Sequence, residues 1–290
     1  MKLQLFVVYC ILQSVYGSTG SNILYLRSDL LNNLSIDFIA TDDRDLLENT
    51  VLYIAGGTEA PERLAPYQCS IQDVIQHFCG CAVINSNFVL TASHCLILAT
   101  PQQIKIMVGS NDFKTGTFYE AERLITHEHF NKPTRLANDI GLVKVKGPIQ
   151  FNENVQPVML QETEVPDGSE VMLTGWGRLY ADGYVTRKMQ YIMLNIIGMD
   201  KCNSSSVSEK ITDNLQDGNI CTNGAVGFGA CKGDSGGSLT YNTKLVGIVS
   251  FGIPCGEGQP DVYANVSYYS DWIKEHTSMS PTTMTTSPWL

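Results

Sequence analysis

Three short segments hold side chains suited to breaking bonds. Gly233-Asp234-Ser235-Gly236-Gly237 sets a hydroxyl among glycines, between two strand-like runs, where a tight turn and close approach of another molecule both call for missing side chains. Thr91-Ala92-Ser93-His94-Cys95 ends one apolar run, and Asn138-Asp139-Ile140 opens another. A serine hydroxyl is a weak nucleophile at neutral pH and needs a base within hydrogen-bond reach, which in turn needs a group to orient it. Ser235, His94 and Asp139 supply nucleophile, base and orienter. A lone serine among glycines would carry little weight; the three segments together carry much more.

The elements that must position these residues read as antiparallel β structure. Short β-rich runs, Phe88 to Thr91, Ile104 to Val108, Ile140 to Val145, Val171 to Thr174 and Lys244 to Ser250, are punctuated by Gly, Pro, Asn and Asp. Near the end, Tyr268 to His276 fits one short amphipathic helix. The 290 residues, 43% of them hydrophobic, are enough to bury a full core. A net charge of −10 argues against nucleic acid, whose phosphates select surfaces rich in Lys and Arg.

The ends differ from the middle. Met1-Lys2, the apolar run Leu3 to Leu12 and the small residues near Gly17 read as a signal peptide over 1–17, shorter in its apolar part than the roughly 20 residues of a membrane span. Residues 18–53 carry two Arg against six Asp and Glu and no Cys, the mark of a separate prosegment. Residues 277–290 form a tail rich in Ser, Thr and Pro. Of the nine cysteines, loss of Cys10 with the signal peptide leaves an even set, which in an oxidising compartment predicts four disulfides. The chain is thus expected to be secreted and extracellular, monomeric, and free of membrane or nucleic-acid partners.

The motifs, in the order His94, Asp139, Ser235, resemble those of the trypsin and chymotrypsin family of serine proteases. Thr174-Gly175-Trp176-Gly177 and Pro260-Asp261-Val262-Tyr263 add to the match, which covers about 54–276. The resemblance implies an all-β, chymotrypsin-like fold: two six-stranded antiparallel β-barrels with a short C-terminal helix. It implies a serine endopeptidase in which His94 takes the Ser235 proton, Asp139 orients the imidazole, and the N–H groups of Gly233 and Ser235 form an oxyanion hole. Protein or peptide substrates, an activating protease and protein inhibitors are the expected partners; no cofactor or metal is called for. Ser93 replaces the family's usual Ala.

Further roles carry over by the same resemblance. Ile54-Ala55-Gly56-Gly57 is similar to the new N-terminus released by zymogen cleavage, whose ammonium is buried against Asp234. Tyr53, before it, replaces the usual Arg or Lys and points to a chymotrypsin-like activator or self-activation. Cys79 pairs with Cys95, Cys202 with Cys221, and Cys231 with Cys255. Cys69 and Cys81 have no common counterpart but flank a hairpin from Gln68 to Ala82, where they could face each other; free buried thiols are the alternative. The prosegment, lacking Cys, cannot remain tethered by a disulfide.

By the same resemblance, substrate choice is expected to fall on Gly229, Ser250, Gly252 and Asp261. The family's pattern implies that Gly229 stands at the pocket floor where trypsin-like enzymes hold Asp, that Gly252 leaves the wall open, and that Asp261 replaces a usual Gly opposite. That swap resembles the brachyurins, the broad-specificity collagenolytic proteases of crustaceans and related insect enzymes. Mixed acceptance of aromatic, Leu and basic side chains follows; the alternatives are a plainly chymotrypsin-like pocket in which Asp261 is merely hydrogen-bonded, a narrow regulatory protease, or a silent homologue that binds a partner. Lys232 at the pocket mouth could favour acidic neighbours. Asn33, Asn203 and Asn265 head glycosylation sequons. His127-Glu128-His129 lacks the companions of a metal site, and Ser110-Asn111-Asp112 lacks the Glu that begins the family's calcium loop.

Overall fold

Runs of alternating or continuous apolar residues, each too short to cross a domain as a helix, leave backbone groups that only pairing with neighbours can satisfy. In the computed structural model, which describes residues 54–277 apart from Ile75, Ser205 and Pro254, they pair as two closed barrels. The first uses β2 (Gln68–Gln72), β3 (His77–Val83), β4 (Phe88–Thr91), β5 (Lys105–Val108), β6 (Thr117–Thr126) and β7 (Gly141–Val145), ordered β2-β3-β4-β7-β6-β5.

The second is built from β9 (Glu170–Gly175), β10 (Gln190–Ile197), β11 (Asn219–Thr222), β12 (Ser238–Tyr241), β13 (Lys244–Gly252) and β14 (Asp261–Asn265). Its order is β10-β11-β14-β13-β12-β9, and antiparallel pairing of β9 with β10 closes the ring. The short β1 (Thr58–Glu59) adds to β10, and β8 (Met159–Leu160) runs parallel to β13. Closure removes the open edges that would otherwise invite pairing with other chains.

Burial follows the pleat. In β10, Ile192, Leu194 and Ile196 are buried while Met193 and Asn195 between them face water. All four residues of β4 are buried. Each fully buried Leu or Ile contributes roughly 1.5–3 kcal/mol, so side chains such as Leu90, Ile106 and Leu142 supply much of the first barrel's stability.

Of the element boundaries that differ from the sequence pattern, two do so for local reasons. β7 begins at Gly141 because the Ile140 carbonyl accepts from the Ser93 hydroxyl (2.5 Å) and the His127 N–H (3.2 Å). The last helix, α3 (Ser270–Thr277), begins two residues later than Tyr268, since Asn265 Oδ1 accepts from the N–H and hydroxyl of Ser267 and so forms a turn first. Two single-turn helices, α1 (Met199–Cys202) and α2 (Glu209–Thr212), sit between β10 and β11.

All four disulfides form. Cys79–Cys95, Cys202–Cys221 and Cys231–Cys255 join as the family pattern implies. Cys69 and Cys81 are direct partners across β2 and β3, with Cα atoms 4.8 Å apart, and are bonded rather than free. The expected signal peptide, prosegment and tail, with Tyr53 and Asn33, lie outside the described residues, apart from Thr277 of the tail, which closes α3. Among the described residues, no helix is long and apolar enough to cross a membrane.

Candidate active site

His94 sits on a single 3-10 turn, Ser93–Cys95, immediately after β4, and the Cys79–Cys95 bridge fixes that turn to β3. Asp139 is buried just before β7, the strand that pairs with β4, so the two residues meet because their strands do. His94 Nδ1 lies 2.7 Å from Asp139 Oδ2, and the His94 backbone N–H donates to Asp139 Oδ1 at 2.9 Å. Burial works against the imidazolium, but the charge and hydrogen bond of Asp139 outweigh it and hold His94 above its ordinary pKa.

Ser235 comes from the other barrel. Its turn is pinned by backbone bonds from Asp234 N to Cys231 O, Gly236 N to Val249 O and Gly237 N to Asp234 O. A further bond crosses between the barrels: Gly80 N in β3 donates to Ser235 O at 2.7 Å. Gly236, at φ +74°, could carry no side chain there, since a Cβ would come within 2.2 Å of Thr91 Oγ1 and 2.7 Å of Gly80 O. Ser235 and His94 thereby border one cleft.

Among the described residues, the backbone N–H groups of Gly233 and Ser235 donate to no protein acceptor. A buried chain behind them was not legible in the motifs. Gln72 Nε2 donates to Ser70 Oγ at 3.0 Å, Ser70 Oγ meets His77 Nδ1 at 2.7 Å, and His77 Nε2 meets the Gly233 carbonyl at 2.8 Å. A carbonyl can only accept, so the His77 proton is on Nε2 and Ser70 donates to Nδ1. Burial pushes His77 down to about 4, keeping it neutral in this role. The signal for it in sequence was only a histidine two residues before Cys79.

Ser250, expected at the substrate pocket, turns its hydroxyl to Asp139 Oδ2 at 2.6 Å while its strand runs on to Gly252. Asp139 therefore receives three protein hydrogen bonds. Asp261 is brought against Gly229 and Gly252: a Cβ on Gly229 would lie 2.6 Å from Asp261 Oδ2, and one on Gly252 3.0 Å from Oδ1. Its Oδ2 accepts from Ala230 N at 2.7 Å, and burial pushes its pKa up to about 7.

Asp234 is fully buried; Gly177 N and Cys231 N donate to its two oxygens at 2.8 and 2.9 Å, and burial raises it to about 6. Ile54 is also fully buried, packed with Leu173, Ile192 and Ala230, while Ala55 O accepts from Gly229 N at 3.0 Å. The start of the described chain thus lies along the same wall as Gly229.

The remaining candidates have other uses. Asp112 is engaged by Arg187, which lowers its pKa. His127 packs against Trp272, whose Nε1 donates to Glu128 Oε2, so this run docks α3. Among the described residues, the one set of three metal-ligand types in reach of each other is Cys79, His94 and Cys95, and its two sulfurs are spent in a disulfide. Lys232 and Asn203 are exposed, and Asn265 is half-buried.

The family model described as Trypsin matches residues 54–273. The chain belongs to the trypsin family. Chymotrypsin-2 of Vespa crabro is 40% identical over 225 residues, 77% of this chain and 99% of that protein. Trypsin of Phaedon cochleariae is 34% identical, over 80% of this chain and 91% of its own. A solved structure of neuropsin, a serine protease expressed in the limbic system of mouse brain, superposes with a TM-score of 0.69 at 25% identity, covering 76% of this chain and 98% of its own. This trypsin-family chain is a serine endopeptidase.

Proposed function

We propose that the chain is a secreted zymogen, armed by cleavage between Tyr53 and Ile54, that hydrolyses peptide bonds through Ser235, His94 and Asp139 with mixed primary specificity. The observation that carries the catalytic part is the convergence of His94, held by Asp139 at 2.7 Å, and Ser235 on one cleft, beside two unspent N–H groups. In this reading His94 takes the Ser235 proton as the hydroxyl attacks the carbonyl carbon, and the oxyanion that forms is met by the Gly233 and Ser235 N–H groups. His94 then returns the proton to the leaving amine, and water repeats the sequence to release the acyl group. Limited cleavage by chymotrypsin, followed by a fluorophosphonate probe, is expected to label Ser235 in a chain whose new N-terminus is Ile54. Absence of label on a chain cut at that bond would favour a silent homologue that binds a partner.

The brachyurin-like part rests on Asp261 between Gly229 and Gly252. A carboxyl raised to about 7 is neutral below that pH and charged above it. Its neutral form tolerates Leu and aromatic side chains, and its charged form pairs Arg or Lys. The ratio of kcat/KM for Arg over Leu substrates is therefore expected to rise roughly tenfold between about pH 6 and 8, since the charged fraction goes from about a tenth to about nine tenths. Asp261→Gly should flatten that rise and weaken Arg and Lys cleavage selectively; equal loss on all substrates would refute the pocket assignment and leave Asp261 as a structural acceptor for Ala230.

A further inference from the structure

The bridge between Cys69 and Cys81 is the one that the family's cysteine pattern does not imply, and both residues are fully buried. It joins residues already opposite each other in β2 and β3, so the hairpin's topology does not depend on it. Its ends are only 12 residues apart in sequence, and the entropic gain from a cross-link grows with the length of the loop it closes. Its neighbours on the two strands, by contrast, reach into the second barrel.

On β2, Gln68 Oε1 accepts from the hydroxyls of Thr174 in β9, at 3.0 Å, and of Ser238 in β12. Ser70 Oγ meets His77 Nδ1, and His77 Nε2 donates to the carbonyl of Gly233 at 2.8 Å. On β3, Gly80 N donates to the carbonyl of Ser235 at 2.7 Å. A Cβ on Gly80 would stand 2.6 Å from Gly237 Cα, so strand and turn are in direct backbone contact. Gly233 and Ser235 are the two residues whose N–H groups meet the oxyanion in the mechanism above. Their carbonyls are both held from one hairpin.

That hairpin has little else to fix it at this point. β3 pairs with β4 only at Ala82 and Val83, so the stretch from His77 to Cys81 has β2 as its one strand partner among the described residues. The ladder with β2 is itself interrupted between Ile71 and Gln72. Gly80 has no side chain to pack, and its N–H, donated to Ser235, takes no part in that ladder. Its place is set by its neighbours: Cys79, bonded to Cys95 beside His94, and Cys81, bonded to Cys69. We infer that the Cys69–Cys81 bridge is a positioning element for catalysis. By fixing β3 to β2 it lets Gly80 and His77 hold the Ser235 and Gly233 carbonyls at once, and so keeps the N–H groups of those residues in place for the oxyanion. The inference rests on the catalytic reading above and goes beyond it by assigning a role in turnover to a bond outside the cleft.

The test uses the cleaved enzyme, its active sites counted by fluorophosphonate uptake to completion and its rates measured well below each variant's Tm. Cys69→Ala with Cys81→Ala removes the bond; Cys69→Val with Cys81→Ala removes it while restoring apolar volume. Val145→Ala, buried at the far end of β7 from Gly141, is the control for lost stability alone. Both bridge variants are expected to lose about tenfold in kcat per active site on a Leu peptide, with KM within about twofold; removing an oxyanion donor outright costs roughly a hundredfold or more. Affinity for a peptide aldehyde, which adds to Ser235 and places its oxygen at the Gly233 and Ser235 N–H groups, should fall by the same factor. The control should lose Tm while keeping kcat and aldehyde affinity. Bridge variants that match wild type in both, or that fail to fold while Val145→Ala folds, would overturn the positioning role and leave the bridge a staple of the fold. A cleaved wild type inert to both peptide and fluorophosphonate would instead overturn the catalytic reading, and this role with it.

Discussion

Replacing Asp139 with asparagine will lower kcat about ten-thousandfold at neutral pH with little change in fold, a magnitude carried over from the equivalent change in trypsin-family enzymes. The local geometry gives the reason. Asp139 accepts from the His94 backbone N–H, from the His94 ring and from the Ser250 hydroxyl, all at 2.9 Å or less. An amide keeps one accepting oxygen and gains an NH₂ that can only donate. The backbone N–H cannot turn away, so it retains the oxygen, and the NH₂ faces His94 Nδ1. That nitrogen must then accept, which puts the imidazole proton on Nε2, where Ser235 needs a vacant lone pair. Stopped-flow or steady-state kinetics on a Leu or Tyr peptide will measure the loss. A variant within tenfold of wild type would mean that another group orients His94.

The second large effect concerns Asp234 and has opposite signs before and after cleavage. Its folded pKa, about 6, lies above the ordinary 3.8, so its favourable contribution is complete below about 3.8 and is lost as pH rises through about 6. Two pH units of such a shift correspond to about 3 kcal/mol, the order of the strain that an unpaired buried carboxylate places on the uncleaved chain near pH 8. A free ammonium on Ile54, reaching the same wall, would relieve it by pairing. Cleavage is thus expected to raise Tm by several degrees near pH 8 and by little near pH 5, where the carboxyl is protonated. Asp234→Asn should stabilise the uncleaved chain near pH 8 yet cost the cleaved enzyme about a hundredfold or more in kcat, because the turn presenting Gly233 and Ser235 loses its anchor. Calorimetry of both forms at the two pH values, with kinetics, would expose an error: equal Tm gains at both would mean that Ile54 and Asp234 never pair.

Antiparallel β structure was legible in short apolar runs broken by turn residues, whereas the two closed barrels followed only from the family resemblance of the motifs, because strand pairing across the chain leaves no local mark. The Cys69–Cys81 pairing was legible in part: hairpin register put the residues opposite each other, while only coordinates separated a bond from two thiols. His94, Asp139 and Ser235 stood out because their motifs are local in sequence. Ser70, Gln72 and His77 did not, because what matters about them is a hydrogen-bond chain to Gly233, some 156 residues downstream of His77. Asp261 lies against Gly229, but its bond to Ala230 N and its raised pKa arise from burial that no motif encodes.

The bond from Gly80 N to Ser235 O joins a strand of one barrel to the turn of the other. In the proposed mechanism the reacting side chains are therefore divided between two barrels that share one buried apolar cluster, and this contact acts as a gauge between them. Half a molecule, however well folded, has no means of testing its own alignment. A shift of the two halves by a fraction of a hydrogen bond's length would leave every strand intact and still part the proposed base, His94, from the proposed nucleophile, Ser235. Competence in this enzyme is a property of registration across the seam, and it is there, rather than in the barrels, that small distant changes would be felt first.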